Sequence, residues 1–266
     1  MYGKSDVTMP RRVVCLAAEH VEICHALGAG ERVVGVPDAP GRPHEAPDEP
    51  GLGELPRVRI DRILGLEPDL ILAFSERQSE VSAELIRAGM TVLCTNQRSM
   101  DEILQVISIV GAVLGLADAA LDLVQDIRDE IRQVREYSSM WPRRPKVYFE
   151  EWPDPPVAGI RWVSEIVEIA GGRDVFPELR ERRTARERAV SADEVARRNP
   201  DIIVASWRGT PVDLAAIAAR PGWERVSAVV SGRVHEVDGA DILVAGPSVL
   251  GGLRRIHELV QSSLEG

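Results

Sequence analysis

The sequence predicts an α/β protein made of two parallel-sheet lobes joined by a long linking α-helix. Short apolar segments with strand character alternate with segments of helical periodicity, which is typical of parallel sheets covered by helices. A helix, a Pro-Asp turn and an apolar strand recur in both halves of the chain. Between the two copies, 117–137 carry one apolar stripe, which predicts a helix of roughly 30 Å.

The first lobe is assigned to 1–115 and follows a strand-helix alternation. Glycine or proline follows several of its helices, as at Gly28, Pro68 and Gly89. A segment rich in proline and glycine, 37–56, is predicted to be a loop. The strands are predicted at 12–17, 32–36, 69–74 and 91–95, and the helices at 19–27, 60–66, 79–88 and 99–114.

The linking helix is assigned to 116–141 and the second lobe to 142–266, where the alternation resumes. A loop is expected at 171–189. The strands are predicted at 146–150, 201–205 and 234–237, and the helices at 163–170, 192–198, 213–219 and 249–259.

An internal repeat supports the two-lobe organisation. The segment IDRILGLEPDLILAF at 60–74 is echoed by SADEVARRNPDIIVAS at 191–206, and RVVCLAAEH at 12–20 is echoed by KVYFEEWPD at 146–154. In the Pro-Asp turn, proline stops the helix, and aspartate can accept hydrogen bonds from backbone amides where the strand begins. The similar spacing of both pairs predicts two lobes built on one plan.

Composition limits the class of partner. A net charge of -10 at pH 7 argues against binding nucleic acid, which requires a clustered basic face. No run of about 18 apolar residues is present, so no membrane span is predicted. An arginine-rich stretch at 180–188 is interleaved with glutamates and is predicted to be a solvated surface. We expect a monomer.

The N-terminal segment and the cysteines bear on the compartment. MYGKSDVTMPRRVV lacks the apolar core of a secretion signal. The expected location is therefore periplasmic or at the cell surface if a signal was removed, and cytoplasmic if Met1 is the native start. Cys15, Cys24 and Cys94 are predicted to be buried thiols rather than disulfide partners, which fits a reducing compartment better.

Four motifs together resemble one known family. They are LAAEHVEI at 16–23, EPDLILAF at 67–74 with its partner NPDIIVAS at 199–206, the long helix, and AGPSVLGGLRRI at 245–256. The chain resembles the helical-backbone (class III) substrate-binding proteins of ABC importers, and looks most like the cobalamin-binding branch. The resemblance implies two α/β lobes with a ligand in the cleft between them, no intrinsic cofactor, and cobalamin or another corrinoid as the ligand.

The resemblance places the ligand at loops that follow strands, because the carboxyl ends of parallel strands form the crevice of such folds. Flat indoles suit a macrocycle, although the same tryptophans could instead pack between helices. His20 could occupy an axial metal position or could be an ordinary polar residue at a helix start. The candidates are Glu19, His20, Asp38, Phe74, Ser75 and Arg77 in the first lobe, and Trp152, Trp207, Arg208 and Asp241 in the second.

The resemblance also implies docking to a permease through one acidic residue on each lobe. Glu80 matches the first position. The second lobe offers Asp213, where the family pattern has glutamate, so the charge is kept but the side chain is shorter.

The sequence is also compatible with other functions. An enzyme would need paired acid-base groups, but Glu150 and Glu151 are adjacent on a strand and should point to opposite faces. Heme, a ferric siderophore or a metal ion are alternative ligands; with five histidines dispersed along the chain, a multi-histidine site is not expected. A cytoplasmic carrier or sensor of corrinoids or other metallocofactors could use the same scaffold.

Overall fold

The computed structural model describes residues 8–37, 58–207 and 209–265. Contacts between Cα atoms divide the described chain into two compact units. The first unit contains the residues up to Gln97 together with Glu102–Asp126, and the second contains Arg98–Asp101 and the residues from Ile127 onward. The boundary therefore falls inside helix α5 (Ala117–Ser139), which is the predicted long helix.

The first unit contains a parallel sheet with the strand order β2-β1-β3-β4 among the described residues. Its core includes Val14, Ile63, Ile71 and Leu85. The strands are β1 (Val13–Cys15), β2 (Val33–Gly35), β3 (Leu70–Phe74) and β4 (Val92–Thr95), and the helices are α1 (Ala18–Ala26), α2 (Ile60–Gly65), α3 (Ser79–Arg87) and α4 (Met100–Val113), which begins in residues assigned to the second unit.

The second unit contains a sheet with the order β6-β5-β8-β9, to which β7 adds beside β5. Its core includes Tyr148, Phe176, Ile203 and Trp223. The strands are β5 (Lys146–Pro153), β6 (Pro156–Ala158), β7 (Arg173–Asp174), β8 (Ile202–Ala205) and β9 (Val234–Glu236); the helices are α6 (Arg161–Ile169), α7 (Ala192–Arg198), α8 (Leu214–Ala218), α9 (Ser227–Val230), α10 (Gly239–Ile242) and α11 (Val249–Glu265).

The two Pro-Asp turns perform the same task in the two units. The carboxylate of Asp69 accepts hydrogen bonds from the backbone amides of Arg11 and Arg12 at 2.8 and 3.0 Å, at the start of β1. In the second unit, Asp201 accepts from the amide of Lys146 at 2.7 Å, at the start of β5. In each unit the aspartate thus joins two neighbouring parallel strands at their amino ends.

Four features of the fold differ from the sequence predictions. Strand β5 continues to Pro153 and pairs with β6 in an antiparallel hairpin, where a loop after 150 was predicted. The expected loop at 171–189 contains the short strand β7. Helices α9 and α10 were not predicted. Cys94 is exposed because β4 is an edge strand, whereas Cys15 and Cys24 are buried as predicted. The predicted loop at 37–56 lies almost wholly outside the described residues.

Candidate functional site

Two tryptophans lie near the carboxyl ends of neighbouring strands of the second sheet: Trp152 is inside β5, and Trp207 follows β8. Glu150 of β5 lies opposite Ala205 of β8 in the parallel ladder, and Trp152 and Trp207 each come two residues later. Trp152 is 43% exposed, and Trp207 is half-buried. Because parallel strands end at one edge of a sheet, both tryptophans lie at this edge, where Trp207 packs in part against the core of the second unit.

The β5-β6 hairpin holds Trp152 in place. Trp152 pairs with Val157 across the antiparallel ladder, with an irregularity in register just before it. Its indole Nε1 donates a hydrogen bond to the carbonyl oxygen of Asp154 at 3.1 Å. An exposed, hydrogen-bonded indole on a paired strand offers a preformed apolar face to a ligand.

A buried carboxylate holds Trp207. Glu150 is completely buried, and its Oε1 accepts from Nε1 of Trp207 at 3.2 Å. The guanidinium of Arg220 forms a two-pronged ion pair with the same carboxylate, including a 2.9 Å contact to Oε1. The hydroxyl of Tyr148 donates to Oε2 at 3.2 Å. Burial and the neighbouring Glu150 charge raise the pKa of Tyr148 well above its usual value, so its hydroxyl remains a donor.

The next glutamate has a different partner, as the alternation of side chains along a strand predicted. Glu151 accepts a hydrogen bond from Arg188 at 2.6 Å, and Arg188 also donates to the carbonyl of Ala158. Arg188 is 2% exposed. The prediction of a solvated arginine stretch is therefore wrong for Arg188, although Arg182 and Arg186 in the same stretch are exposed.

In the first unit, the end of β3 is bound to the end of β1 by a buried glutamine. Gln78 accepts from the amide of Phe74 at 2.8 Å and donates to the carbonyl of Leu16 at 2.7 Å. Ser75 is buried at φ 65°, and its hydroxyl accepts from the amide of Arg77 at 3.4 Å. Phe74 is half-buried and Arg77 is exposed, so both predicted ligand residues reach the surface at this strand end.

Glu19 and His20 lie in the interior instead. Glu19 is 6% exposed and His20 is fully buried. Nε2 of His20 is 2.9 Å from the hydroxyl of Thr95, and burial lowers the pKa of His20 to about 3. A fully buried, neutral imidazole in a hydrogen bond fits the interpretation of His20 as a polar residue at a helix start better than that of an axial ligand.

The remaining predicted ligand residues are less informative. Asp241 lies in α10 rather than in the predicted loop after β9, and its carboxylate lies against Gly251 in the first turn of α11. Asp241 is nevertheless exposed and therefore accessible to a ligand. Asp38 and Arg208 fall outside the described residues.

The two acidic residues predicted to dock on a permease differ in their surroundings. Glu80 is exposed in the first turn of α3. Asp213 is also exposed, but its carboxylate caps α8 by accepting from the amide of Ala216 at 2.8 Å. Asp213 therefore has a local structural role that Glu80 lacks in the described contacts.

Arg220 and Gln78 were not predicted as site residues. Arg220 contacts Glu150 from 70 residues further along the chain, and Gln78 contacts Leu16 across 62 residues. The buried position of Glu150 inside an apolar strand was the available signal, since a buried carboxylate requires a charged or polar partner. Within the parts of the chain that the structure describes, no group of three or more His, Cys, Asp or Glu side chains is arranged to hold a metal ion.

Comparison with known proteins places the chain in a family. Residues 13–240 match the model of the periplasmic binding protein family, and the chain belongs to it. Members of this family bind substrates for transport and are not catalysts. The prediction of a binding protein rather than an enzyme is thus confirmed, and the chain is a solute-binding protein of ABC import that works with permease subunits.

Individual relatives agree with this assignment. An uncharacterized ABC transporter substrate-binding lipoprotein, YvrC of Bacillus subtilis, is 27% identical over 97% of this chain and 83% of its own length. The vitamin B12-binding protein of Vibrio cholerae is 25% identical over 80% of this chain and 79% of its own. Among solved structures, the periplasmic heme-binding protein RhuT from Roseiflexus superposes with a TM-score of 0.83 at 24% identity, covering 96% of this chain and 99% of RhuT.

These likenesses confirm the predicted two-lobe α/β fold and family. None of the described helices has both the length and the apolar character needed to cross a membrane.

Proposed function

We propose that this solute-binding protein captures a corrinoid, with cobalamin as the first ligand to test, and delivers it to an ABC importer. The observation that carries the proposal is the pair of indoles at matched positions, Trp152 and Trp207, at the carboxyl edge of the second sheet. A corrin ring has broad apolar faces and an amide-rich rim. Indole faces suit the first, and nearby hydrogen-bonding groups suit the second. The relatives named vitamin B12-binding proteins support this choice.

The described residues at this edge suit a corrinoid better than heme. Protein-bound heme iron is held by a side chain such as His, Cys, Met or Tyr. The described residues that follow β5, β8 and β9 include none of these four types, and Tyr148 is buried against Glu150. Cobalamin carries its own lower axial ligand, so it requires no such side chain. Phe74, Ser75 and Arg77 of the first unit are proposed to contact ligand as well.

The experiment is a calorimetric titration of the purified protein with cyanocobalamin. We expect one-to-one binding at micromolar or lower concentration. Trp152→Ala and Trp207→Ala should each weaken binding at least about tenfold, because aromatic anchors account for a large share of binding free energy. The matched control is Trp141→Ala: Trp141 stacks on His257 with ring centroids 4.9 Å apart and precedes β5, so its loss should leave the affinity within about twofold.

The competing ligands are tested in the same way. Hemin, a ferric siderophore and free divalent metals are titrated into the same protein. Absence of cyanocobalamin binding at about 100 μM, with tight binding of hemin instead, would overturn the corrinoid proposal. Cyanocobalamin binding that ignores both tryptophan substitutions would overturn the location of the site.

We also propose that Glu80 and Asp213 are the acidic contacts to the permease. Both are exposed carboxylates on short surface turns or helix starts. Charged surface groups of this kind steer and orient protein association more than they strengthen it.

A further inference from the structure

Glu150 is fully buried, and both oxygens of its carboxylate accept hydrogen bonds. It accepts from Tyr148, from Trp207 and twice from Arg220. The contacts to Trp207 and Arg220 span 57 and 70 residues of sequence. A carboxylate in this position joins the middle of β5 to the segments that follow β8 and α8.

Arg220 reaches both tryptophan-bearing segments. One nitrogen of its guanidinium donates to Glu150, which holds Trp207, and the same nitrogen lies 3.4 Å from the carbonyl oxygen of Pro153, next to Trp152 in β5. Its guanidinium carbon lies 4.8 Å from the ring centre of Trp223, which is buried. The guanidinium of Arg220 is therefore held between the indole of Trp223 and the carboxylate of Glu150.

We infer that Glu150 and Arg220 are positioning residues that fix the indole of Trp207, and its spacing from Trp152, for stacking on a planar ligand. The inference rests on the proposed function for the identity of that ligand. Neither residue needs to touch the ligand: Glu150 orients the Trp207 ring through Nε1, and Arg220 orients Glu150 while holding the backbone beside Trp152.

A purely stabilising role explains these contacts less well. Buried ion pairs contribute little net stability compared with apolar residues of similar size, because removing both charges from water is costly. If the indole ring of Trp207 is already fixed before the ligand binds, less conformational entropy is lost on binding. The fork of arginine matches both carboxylate oxygens, a geometry that lysine cannot reproduce.

The binding test uses Arg220→Lys, Trp207→Ala and the double variant, titrated with cyanocobalamin. We expect Arg220→Lys alone to weaken binding about tenfold. In the Trp207→Ala background the same change should cost less than about twofold, because the indole that Glu150 and Arg220 orient is gone and only the 3.4 Å contact of Arg220 to the backbone beside Trp152 remains. Equal losses in both backgrounds would mean that Arg220 merely supports the fold, and would overturn the inference.

Arg254→Lys is the matched control for the loss of a two-pronged arginine–carboxylate pair. Arg254 also makes a two-pronged pair, with Glu130 at 2.6 Å for each contact, but it is exposed and joins α11 to α5 rather than to the strands that carry Trp152 and Trp207. Its replacement should leave affinity within about twofold. A tenfold loss there would show that loss of any arginine fork disturbs the protein, and would count against a special role for Arg220.

A second readout does not require any ligand. Protein labelled with 5-fluorotryptophan gives separate ¹⁹F resonances, and that of Trp207 is identified by its absence in Trp207→Phe. Arg220→Lys should shift the Trp207 resonance and narrow it through added mobility, while the resonance of the buried Trp162 stays in place. An unchanged Trp207 resonance would overturn the inference even if wild-type protein binds cyanocobalamin. If it binds none, the proposed function fails, but this measurement still decides whether Arg220 fixes the ring.

Discussion

Arg188 and Glu151 form an ion pair at 2.6 Å in the interior of the second unit, with 2% and 11% of their side chains exposed. The pair lies at the β5-β6 hairpin, because Arg188 also donates to the carbonyl of Ala158 in β6. An isolated bridge then joins Val157 to Ala189, next to the arginine. The segment at 186–190 is thus attached to the β5-β6 hairpin, which carries Trp152.

Replacing Arg188 with methionine should therefore destabilise the protein strongly. It leaves Glu151 buried beside an apolar group, and breaking a buried pair in this way costs about 3–5 kcal/mol. Urea unfolding followed by circular dichroism measures the change. Arg186→Met, two residues away on the surface, is the control and should be nearly neutral. Comparable small effects of both substitutions would contradict a structural role for the buried pair.

The buried imidazole of His20 predicts a loss of stability in acid. Burial lowers the pKa of His20 from 6.5 to about 3, so between these values the unfolded chain binds a proton that the folded chain does not. Protonation of His20 in the unfolded chain then favours unfolding. The titration of His20 does not change the free energy of unfolding above pH 6.5, and it lowers that free energy by about 1.4 kcal/mol per pH unit as the pH falls towards 3.

The measurement compares wild type with His20→Gln between pH 7 and pH 4.5. Carboxylates titrate in both proteins and cancel in the difference, so the free energy of unfolding should fall more steeply with acid in wild type. Glutamine retains a polar group for the hydroxyl of Thr95, which His20 contacts at 2.9 Å. Parallel pH profiles would show that His20 is protonated without cost in the folded protein.

Ser75 predicts a gain in stability on substitution by glycine. Its backbone has φ 65° and ψ 172°, a conformation that residues with a Cβ atom rarely adopt. Glycine takes this conformation without strain, so Ser75→Gly should raise the free energy of unfolding by about 1 kcal/mol. Ser75→Ala keeps the Cβ atom and loses only a 3.4 Å hydrogen bond, and should not be stabilising. Chemical denaturation that ranks alanine above glycine would contradict strain at this position.

The features that could be predicted from sequence are those encoded locally. Each Pro-Asp turn contains its own helix stop and begins the next strand, as predicted, but the amides that Asp69 and Asp201 bind belong to a neighbouring strand 55 to 58 residues earlier, which the local pattern does not show. Trp207 was placed after its strand because 201–205 is an apolar run with a clear limit, whereas Trp152 was placed in a loop although β5 continues to Pro153.

Features that depend on distant residues were not predictable. The partners of Glu150 and Glu151 lie 70 and 37 residues away, so no local pattern distinguishes Arg220 and Arg188 from the other arginines of the chain. The exposure of Cys94 depends on β4 lying at the sheet edge, and the burial of His20 depends on packing against Thr95, and neither is visible in the local pattern.

Glu80 and Asp213 predict a defect in transport without a defect in ligand binding. Glu80→Lys reverses an exposed charge, and Asp213→Asn removes a charge while keeping an acceptor for the amide of Ala216. With the importer reconstituted in vesicles, each variant should lower the ATPase stimulation at a fixed protein concentration, by about tenfold for Glu80→Lys and less for Asp213→Asn, because surface charges mainly affect association. Calorimetry should show cyanocobalamin affinity within about twofold of wild type, since neither residue belongs to the proposed ligand site.

Asp122→Lys on the exposed face of α5 controls for charge reversal in general. Full stimulation by both docking variants would exclude these two residues as the permease contacts, whereas an equal loss in Asp122→Lys would assign the effect to net charge.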